Sequence, residues 1–188
     1  KHFPEIIISV DTFRSEVAKQ TINAGASLIN DISAGFLDKN MLETVAKLSV
    51  PYIMMHMRGT PQTMQTLTEY DNLTKDVNLY FSDRISKARA LGIIDLILDP
   101  GFGFAKTTQQ NFELLNQLEL LNIADLPLLV GISRKSMIYK TLDTTAQNAL
   151  NGTTALHMIA LQKGAKILRA HDVKEAKECI TLYNQLHA

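Results

Sequence analysis

The sequence has little of three things on which large classes of protein depend: cysteine, net charge and long apolar runs. Its one cysteine, Cys179, cannot form an intrachain disulfide, so a disulfide-stabilised secreted domain is not expected. Lys and Arg number 19, as do Asp and Glu, which leaves no net field to attract nucleic acid or anionic lipid. The longest apolar runs, near 6–10 and 126–132, fall far short of the roughly 18 residues of a membrane-spanning helix. We therefore expect a cytoplasmic protein without nucleic-acid or membrane partners.

One pattern recurs along the 188 residues: a short apolar run, a polar or glycine-bearing turn, and a segment with helical spacing. The runs predict buried strands at 6–10, 28–32, 52–55, 96–98, 128–132 and 166–169. The helical segments lie at 14–24, 42–48, 73–91, 111–121, 147–162 and 173–187. Alternating strands and helices predict an α/β fold with a parallel sheet, either doubly wound or a (β/α) barrel.

The length of each unit bears on which α/β fold this is. Six units in 188 residues give about 31 residues each, and eight such units would total about 250, the usual length of a (β/α)8 barrel. The chain therefore resembles a barrel with six of its eight βα units. We expect a single domain over residues 1–188, incomplete at its N-terminus.

Polar residues follow every predicted strand, at the end where a parallel α/β protein gathers its chemistry. In chain order they are Asp11-Thr12, Asn30-Asp31, His56-Met57-Arg58, Asp99-Pro100-Gly101, Ser133-Arg134-Lys135 and Arg169-Ala170-His171-Asp172. Asp11, Asp31 and Asp172 could each be a helix N-cap, and we assign Asp172 to that role. His56 lies among methionines and is expected to be a core residue, while Arg58 is expected to form a loop salt bridge.

Other familiar templates fit the sequence poorly. No histidine pair has metal-ligand spacing, and Ser133 has no base and acid nearby in sequence. The glycine-rich stretch at 101–106 matches neither common phosphate-loop pattern. His2, His157 and His187 are expected on the surface or on exposed helix faces, and Cys179 is expected to pack as a small apolar residue.

The combination of strand ends is more informative than any one of them. Carboxylates at Asp11 and Asp99, both expected to be buried at strand ends, suit with the Asn30 amide a flat heterocycle whose edge presents several N–H donors. A second group, Lys135, Arg169 and His171, suits an anion, and Ser136 is expected to begin a short helix near it. The sequence therefore predicts a site that binds a polar ring on one side and a phosphate or carboxylate on the other.

At these positions the sequence resembles the dihydropteroate synthase family. The resemblance rests on SVDT at 9–12, NDIS at 30–33, MHMRG at 55–59, DPGFGF at 99–104, GISRKS at 131–136 and RAHDV at 169–173. The motifs occur in the family's order and extend along the whole chain. The resemblance implies a (β/α)8 barrel and a transferase that joins p-aminobenzoate to 6-hydroxymethyl-7,8-dihydropterin pyrophosphate, giving dihydropteroate and pyrophosphate. It also implies a sulfonamide target and a homodimer formed through C-terminal helices.

The resemblance assigns roles to individual residues. Asp99, with Asn30 and Asp11, would bind the pterin edge, and Lys135 would bind its carbonyl. The catalytic residues would be Lys135, Arg169 and His171, of which the last two would hold the leaving pyrophosphate. The remaining substrate-binding positions would be Met55, Gly103, Phe104, Gly131, Ser136 and Ala170, with Ser136 at the aminobenzoate carboxylate.

Two family motifs, NxTPDSF and GGESTRPG, do not occur in the sequence. In the family the first supplies the Asn that binds Mg²⁺ on the pyrophosphate, so Mg²⁺ is expected with the substrate but no metal ligand is expected in this chain. The alternatives left open are a methyltetrahydrofolate:corrinoid methyltransferase domain and a non-catalytic pterin-binding fragment.

Overall fold

The computed structural model describes residues 3–187 and contains one sheet of six parallel strands. The strands are β1 (Ser9–Asp11), β2 (Leu28–Asp31), β3 (Tyr52–Met55), β4 (Leu96–Asp99), β5 (Leu128–Val130) and β6 (Ala165–Leu168). Their order in the sheet is their order in the chain. A doubly wound sheet reverses its strand order at a switch point, so the unbroken order is that of a barrel.

Seven α-helices and two short 3₁₀ segments connect the strands within the described range. The helices are α1 (Ser15–Asn23), α2 (Met41–Leu48), α3 (Leu73–Ala90), α4 (Thr108–Asn116), α5 (Ser136–Thr141), α6 (Leu150–Gln162) and α7 (Val173–Leu186). The 3₁₀ segments are Met64–Thr66 and Leu118–Leu121. The short helix expected at Ser136 is therefore confirmed, as is the α/β fold with six βα units.

Some predicted boundaries were wrong, for local reasons. Helix α4 begins before residue 111 because Thr107 and Gln110 form a capping box, each side chain bonding the other's backbone N–H. Helix α6 begins after residue 147 because Arg134 donates to the carbonyl oxygens of Ala146 and Gln147, which keeps that segment out of the helix.

The first predicted strand, at 6–10, begins only at Ser9. The preceding Ile6, Ile7 and Ile8 are exposed, and β1 pairs only with β2. At the other edge of the sheet β6 pairs only with β5, so β1 and β6 do not close the wall in the described part of the chain. The six units therefore form part of a barrel wall. No helix between residues 3 and 187 is long and apolar enough to cross a membrane.

The two faces of the sheet have different environments because alternate residues of a strand point to opposite sides. The main apolar core contains the residues that face the helices, among them Ile29, Tyr52, Met54, Leu98 and Val130. The register aligns Asp11 with Asn30 and Met55 with Asp99, which places these residues on the other face, toward the barrel interior. The packing between sheet and helices thus supports a concave inner face whose rim carries the polar side chains.

Candidate active site

The inner rim of the sheet holds two buried oxygen atoms that lack a hydrogen-bond donor among the described residues: Asn30 Oδ1 and Asp99 Oδ2. The Asn30 and Asp99 side chains are held at their other ends, since Asn30 Nδ2 donates to Asp11 Oδ2 at 3.1 Å and the Gly101 N–H donates to Asp99 Oδ1 at 2.8 Å. Asn30 and Asp99 are only 5% and 1% exposed. A buried acceptor without a donor is destabilising, so the two oxygens mark the place where donors of a ligand would bind.

Asp11 differs from what the sequence predicted. It was expected to be buried, but the structure leaves it exposed on the edge strand β1, which has β2 as its one neighbouring strand within residues 3–187. Partial desolvation raises the pKa of its carboxyl, and the nearby Arg169 guanidinium and the Asn30 hydrogen bond oppose that effect. Asp11 therefore lies beside the two orphaned oxygens and is the carboxylate that orients the Asn30 amide.

Two cationic side chains face this group of acceptors. Arg169 Nη2 lies 3.6 Å from Asp99 Oδ2, so the two groups form an ion pair at a distance longer than a hydrogen bond. Lys135 Nζ donates to the Phe102 carbonyl oxygen and lies 5.0 Å from the centroid of the Phe104 ring. Burial lowers the pKa of Lys135 to about 8, with Asp99 opposing the shift and Arg169 adding to it.

His171 lies at the end of β6 and is exposed. Its Nδ1 is 3.0 Å from Ser133 Oγ, and its backbone N–H donates to the same hydroxyl at 3.2 Å. The Ser133 hydroxyl thus ties the loop after β6 to the loop after β5. Ser136 is the first residue of α5, one position after Lys135. The predicted anion-binding residues are therefore all on two adjacent loops of the same rim.

Two glycines fit the site because of what surrounds their Cα atoms. Gly101 has φ +71°, and a Cβ there would lie 2.1 Å from the His56 carbonyl oxygen, so only glycine can occupy this turn after Asp99. A Cβ at Gly131 would lie 2.4 Å from Arg169 Nη2, so the guanidinium crosses directly over this glycine. Each glycine thus leaves space that a larger residue would fill. At Gly101 the space is taken by the His56 carbonyl group, and at Gly131 by the Arg169 guanidinium.

Sequence reasoning missed the contacts that hold the rim together. Asp172 was assigned as a helix cap, which is wrong: it precedes α7 but caps none of its N–H groups. Its two carboxylate oxygens instead accept from Arg134 Nε and Nη2, both at 2.8 Å, and this ion pair lowers the pKa of Asp172. The partners are 38 residues apart, so no local pattern signals the pair.

The capping interpretation is also wrong for Asp31, which points to the helix side of the sheet. It is fully buried and accepts from the Ser33 and Gly35 N–H groups at 2.8 and 2.7 Å and from the Tyr52 hydroxyl at 2.6 Å. Asp31 is therefore a satisfied structural carboxylate, although it directly follows Asn30 in sequence.

Of the histidine predictions, those for His56 and His187 are confirmed and that for His157 is wrong. His56 is buried as expected, and burial lowers its pKa, as do the charges of Lys106 and Arg58. His157 was expected on an exposed helix face but is buried, because it lies on the same buried stripe of α6 as Thr153, Ala160 and Leu161. His187 is exposed as expected, whereas His2 lies outside the described residues.

Two smaller predictions, for Arg58 and Cys179, are confirmed by the structure. Arg58 forms a salt bridge with Asp76 at 3.0 Å, as expected of a loop residue. Cys179 is buried on α7, as expected of a small apolar side chain. No group of three or more His, Cys, Asp or Glu side chains within residues 3–187 is arranged to hold a metal ion.

Comparison with known proteins gives the same picture. Residues 1–171 match the model of a family described as pterin binding enzyme. The chain is 46% identical to a dihydropteroate synthase of Synechocystis sp. over 173 residues, covering 90% of this chain and 60% of that protein. It is 43% identical to the dihydropteroate synthase of Escherichia coli K12 over 178 residues, covering 94% and 63%. The chain thus spans about 60% of the length of these curated relatives.

Solved structures of dihydropteroate synthases share the backbone fold of this chain. The Yersinia pestis dihydropteroate synthase in a sulfonamide drug complex superposes with a TM-score of 0.94 at 41% identity, over 97% of this chain and 67% of that one. The Stenotrophomonas maltophilia dihydropteroate synthase, with imidazole in its active site, gives a TM-score of 0.95 at 34% identity, over 100% and 71%.

Proposed function

The chain belongs to the pterin binding enzyme family, and from that membership we propose that it is the pterin-binding part of a dihydropteroate synthase. The reaction would condense 6-hydroxymethyl-7,8-dihydropterin pyrophosphate with p-aminobenzoate in folate synthesis. The observation that carries the proposal is the pair of buried acceptors without donors, Asn30 Oδ1 and Asp99 Oδ2, facing the cations Lys135 and Arg169.

The acceptors suit the edge of a pterin ring. Asp99 would accept the ring N3–H and 2-amino protons, since one carboxylate can take two parallel donors. Asn30, oriented by Asp11, would bind the remaining ring nitrogens. Lys135 would turn from the Phe102 carbonyl oxygen to the pterin carbonyl. Gly103, at φ +80°, places the loop backbone beside the lysine stem, since a Cβ there would be in ordinary contact with Lys135 Cδ at 3.4 Å. Recognition would thus use the two buried oxygens without donors and the Lys135 ammonium.

Apolar and backbone groups would complete the substrate site. Met55, buried on the inner face, and the half-buried Phe104 would pack against the rings of the substrates. Ser136 would bind the aminobenzoate carboxylate at the start of α5. Gly131 and Ala170 would contribute close backbone approach beside Arg169.

Catalysis would depend on electrostatic stabilisation. The aminobenzoate nitrogen forms a bond to the pterin methylene carbon, the C–O bond to pyrophosphate breaks, and the nitrogen loses a proton. If the C–O bond breaks first, a pterin-methyl cation forms beside Asp11 and Asp99, while the departing anion is held by Arg169 and His171. Groups already oriented toward both developing charges lower the barrier without reorganising.

In this proposal Mg²⁺ binds only together with the pyrophosphate of the substrate. The described residues supply no carboxylate or histidine group for a dedicated metal site, so no step is assigned to the ion. When bound, it would supply positive charge to the leaving group.

We also propose the homodimer and the cytoplasmic location expected from the sequence. Exposed apolar residues on α7, including Leu182 and Leu186, support an interface at the C-terminal helices.

The function is tested by incubating the full-length protein with pterin pyrophosphate, p-aminobenzoate and Mg²⁺, and measuring dihydropteroate and pyrophosphate in equal amounts. Pterin binding without condensation would favour the non-catalytic alternative. That alternative is tested because the chain matches only 60% of the length of the Synechocystis relative. Methyl transfer from methyltetrahydrofolate to a corrinoid, with no condensation, would favour the methyltransferase alternative.

Replacing Gly131 with Ala is expected to displace Arg169 without unfolding the protein. The new Cβ would meet only the mobile end of the arginine side chain, at 2.4 Å from Nη2 and 2.8 Å from Cζ. Affinity for pterin pyrophosphate should fall by about tenfold, because a hydrogen bond to a charged group contributes roughly 1.5–3 kcal/mol. Calorimetric titration together with a melting curve checks this. A large loss of melting temperature with unchanged affinity would contradict it.

A further inference from the structure

Lys106, after β4, is an amine buried in the loop that carries Asp99, and the proposed reaction assigns it no role. It is 6% exposed. Its Nζ lies 3.0 Å from His56 Nδ1, 3.1 Å from the Gly101 carbonyl oxygen and 3.1 Å from the Phe104 carbonyl oxygen. An ammonium has three N–H donors, so all three acceptors are satisfied at once. With Nδ1 accepting, the proton of a neutral His56 lies on Nε2.

Placing this amine in the interior has a cost. Burial lowers the pKa of Lys106 to about 7, with Lys135 and Arg58 adding to the shift and Asp99 opposing it. No carboxylate accepts a hydrogen bond from its Nζ among the described residues. The three neutral acceptors therefore supply the direct contacts that offset its desolvation.

Loop 100–106 has a backbone that needs external support. Gly101, Gly103 and Ala105 all have positive φ, at 71°, 80° and 49°, and for Ala105 that conformation is strained. Within the loop, the Phe104 N–H donates to the Gly101 carbonyl oxygen at 3.0 Å. Lys106 Nζ bonds the carbonyl oxygens of the same two residues, so it ties both ends of this turn to His56 on β3's side of the rim.

The loop also supplies three features that the proposed site uses. The Gly101 N–H holds Asp99 Oδ1, which leaves Oδ2 free to face the inner rim. The Phe102 carbonyl oxygen accepts from Lys135, and the Phe104 ring lies beside the same ammonium. A shift of the turn would therefore move Asp99 and Lys135 together.

We propose that Lys106 is a positioning residue for pterin recognition: its ammonium holds loop 100–106 so that Asp99 Oδ2 and Lys135 face the ring. The inference rests on the proposed function, since it names how that same site is kept in order. Lys106 does not contact the substrate in this assignment. It acts through the Gly101 and Phe104 carbonyl groups.

If Lys106 stabilised only the fold, its loss would weaken ligand binding at every part of the site equally. The contacts predict unequal losses. The anion side is held by its own bonds, from His171 to Ser133 and from Arg134 to Asp172. These bonds lie on the loops after β5 and β6 and do not involve Lys106. Loss of Lys106 should therefore weaken binding of the pterin ring much more than binding of pyrophosphate.

The test uses the full-length protein with Lys106→Met, which keeps the length of the side chain but removes the donors, and Lys106→Gln, which restores two of them. Two probes are titrated separately by calorimetry: 6-hydroxymethylpterin, and inorganic pyrophosphate with Mg²⁺. For Lys106→Met we expect pterin affinity to fall about tenfold or more, since three hydrogen bonds are lost, while pyrophosphate affinity stays within about twofold. Lys106→Gln should recover part of the loss, and KM for pterin pyrophosphate should rise more than kcat falls.

Val45→Ala is the matched control for stability, because Val45 is fully buried on α2 and belongs to the apolar core between the sheet and the helices. It should lower the melting temperature with both affinities unchanged. Equal losses for the two probes in Lys106→Met, or loss of the fold in both Lys106 variants, would overturn the positioning role. A wild-type protein that neither binds pterin nor forms dihydropteroate would instead refute the proposed function. An active wild type with unaffected Lys106 variants refutes only this inference.

Discussion

Replacing Asp99 with Asn is expected to weaken binding of pterin pyrophosphate by about 2 to 5 kcal/mol, the range for truncating one partner of a desolvated charged hydrogen-bond pair. The reason lies in the geometry of the carboxylate. Oδ1 is already used by the Gly101 N–H at 2.8 Å, and Oδ2 is buried without a donor. An amide would keep one oxygen acceptor, but its NH₂ group would place N–H donors against ligand donors or lose the Gly101 bond.

Asp31→Asn is the matched control, since Asp31 is also a buried strand-end aspartate but faces the helices and is satisfied by Ser33, Gly35 and Tyr52. It should lower the melting temperature and leave pterin affinity nearly unchanged. Calorimetry on the full-length protein measures both variants. A loss below tenfold for Asp99→Asn would contradict the assignment of pterin recognition to this residue.

Replacing Arg169 with Met should separate the two halves of the ligand. Arg169 is partly exposed, extends over Gly131 and approaches Asp99 without forming a hydrogen bond, so its donors remain available to an anion. We expect affinity for pterin pyrophosphate to fall by about 1.5–3 kcal/mol, the contribution of hydrogen bonds between charged groups. The pterin without pyrophosphate should lose less, because only stacking of the planar guanidinium would be removed.

The comparison needs a control on the same strand. Lys166→Met removes a cation from the exposed opposite end of β6 and should change neither affinity, which shows that the effect of Arg169 is local and not one of net charge. Titrations of the two ligands against each variant give four binding constants. Equal losses for both ligands on replacing Arg169 would mean that it only stacks on the ring.

Much of the site was accessible from the sequence because parallel strands end at one rim, whatever the path of the chain between them. Once strands were predicted near 28–32 and 96–98, Asn30 and Asp99 were expected at the same rim of the sheet. In the structure Asn30 donates to Asp11, and Asp99 forms an ion pair with Arg169. The roles assigned to these residues stay predictions. The arrangement on which the roles depend is observed.

The sequence by itself determined the number and order of the βα units, because hydrophobic periodicity and turns are local properties. Only the tertiary structure decided which polar residues serve the site and which serve the fold. Asn30 and Asp31 are adjacent in sequence, yet the alternation along β2 sends one to the inner rim and the other to Tyr52 behind the sheet. Asp172 pairs with Arg134 across 38 residues, and Lys106 reaches His56 across 50. Such contacts depend on how neighbouring units pack, and a pattern read along one segment contains no information about the distance between two segments.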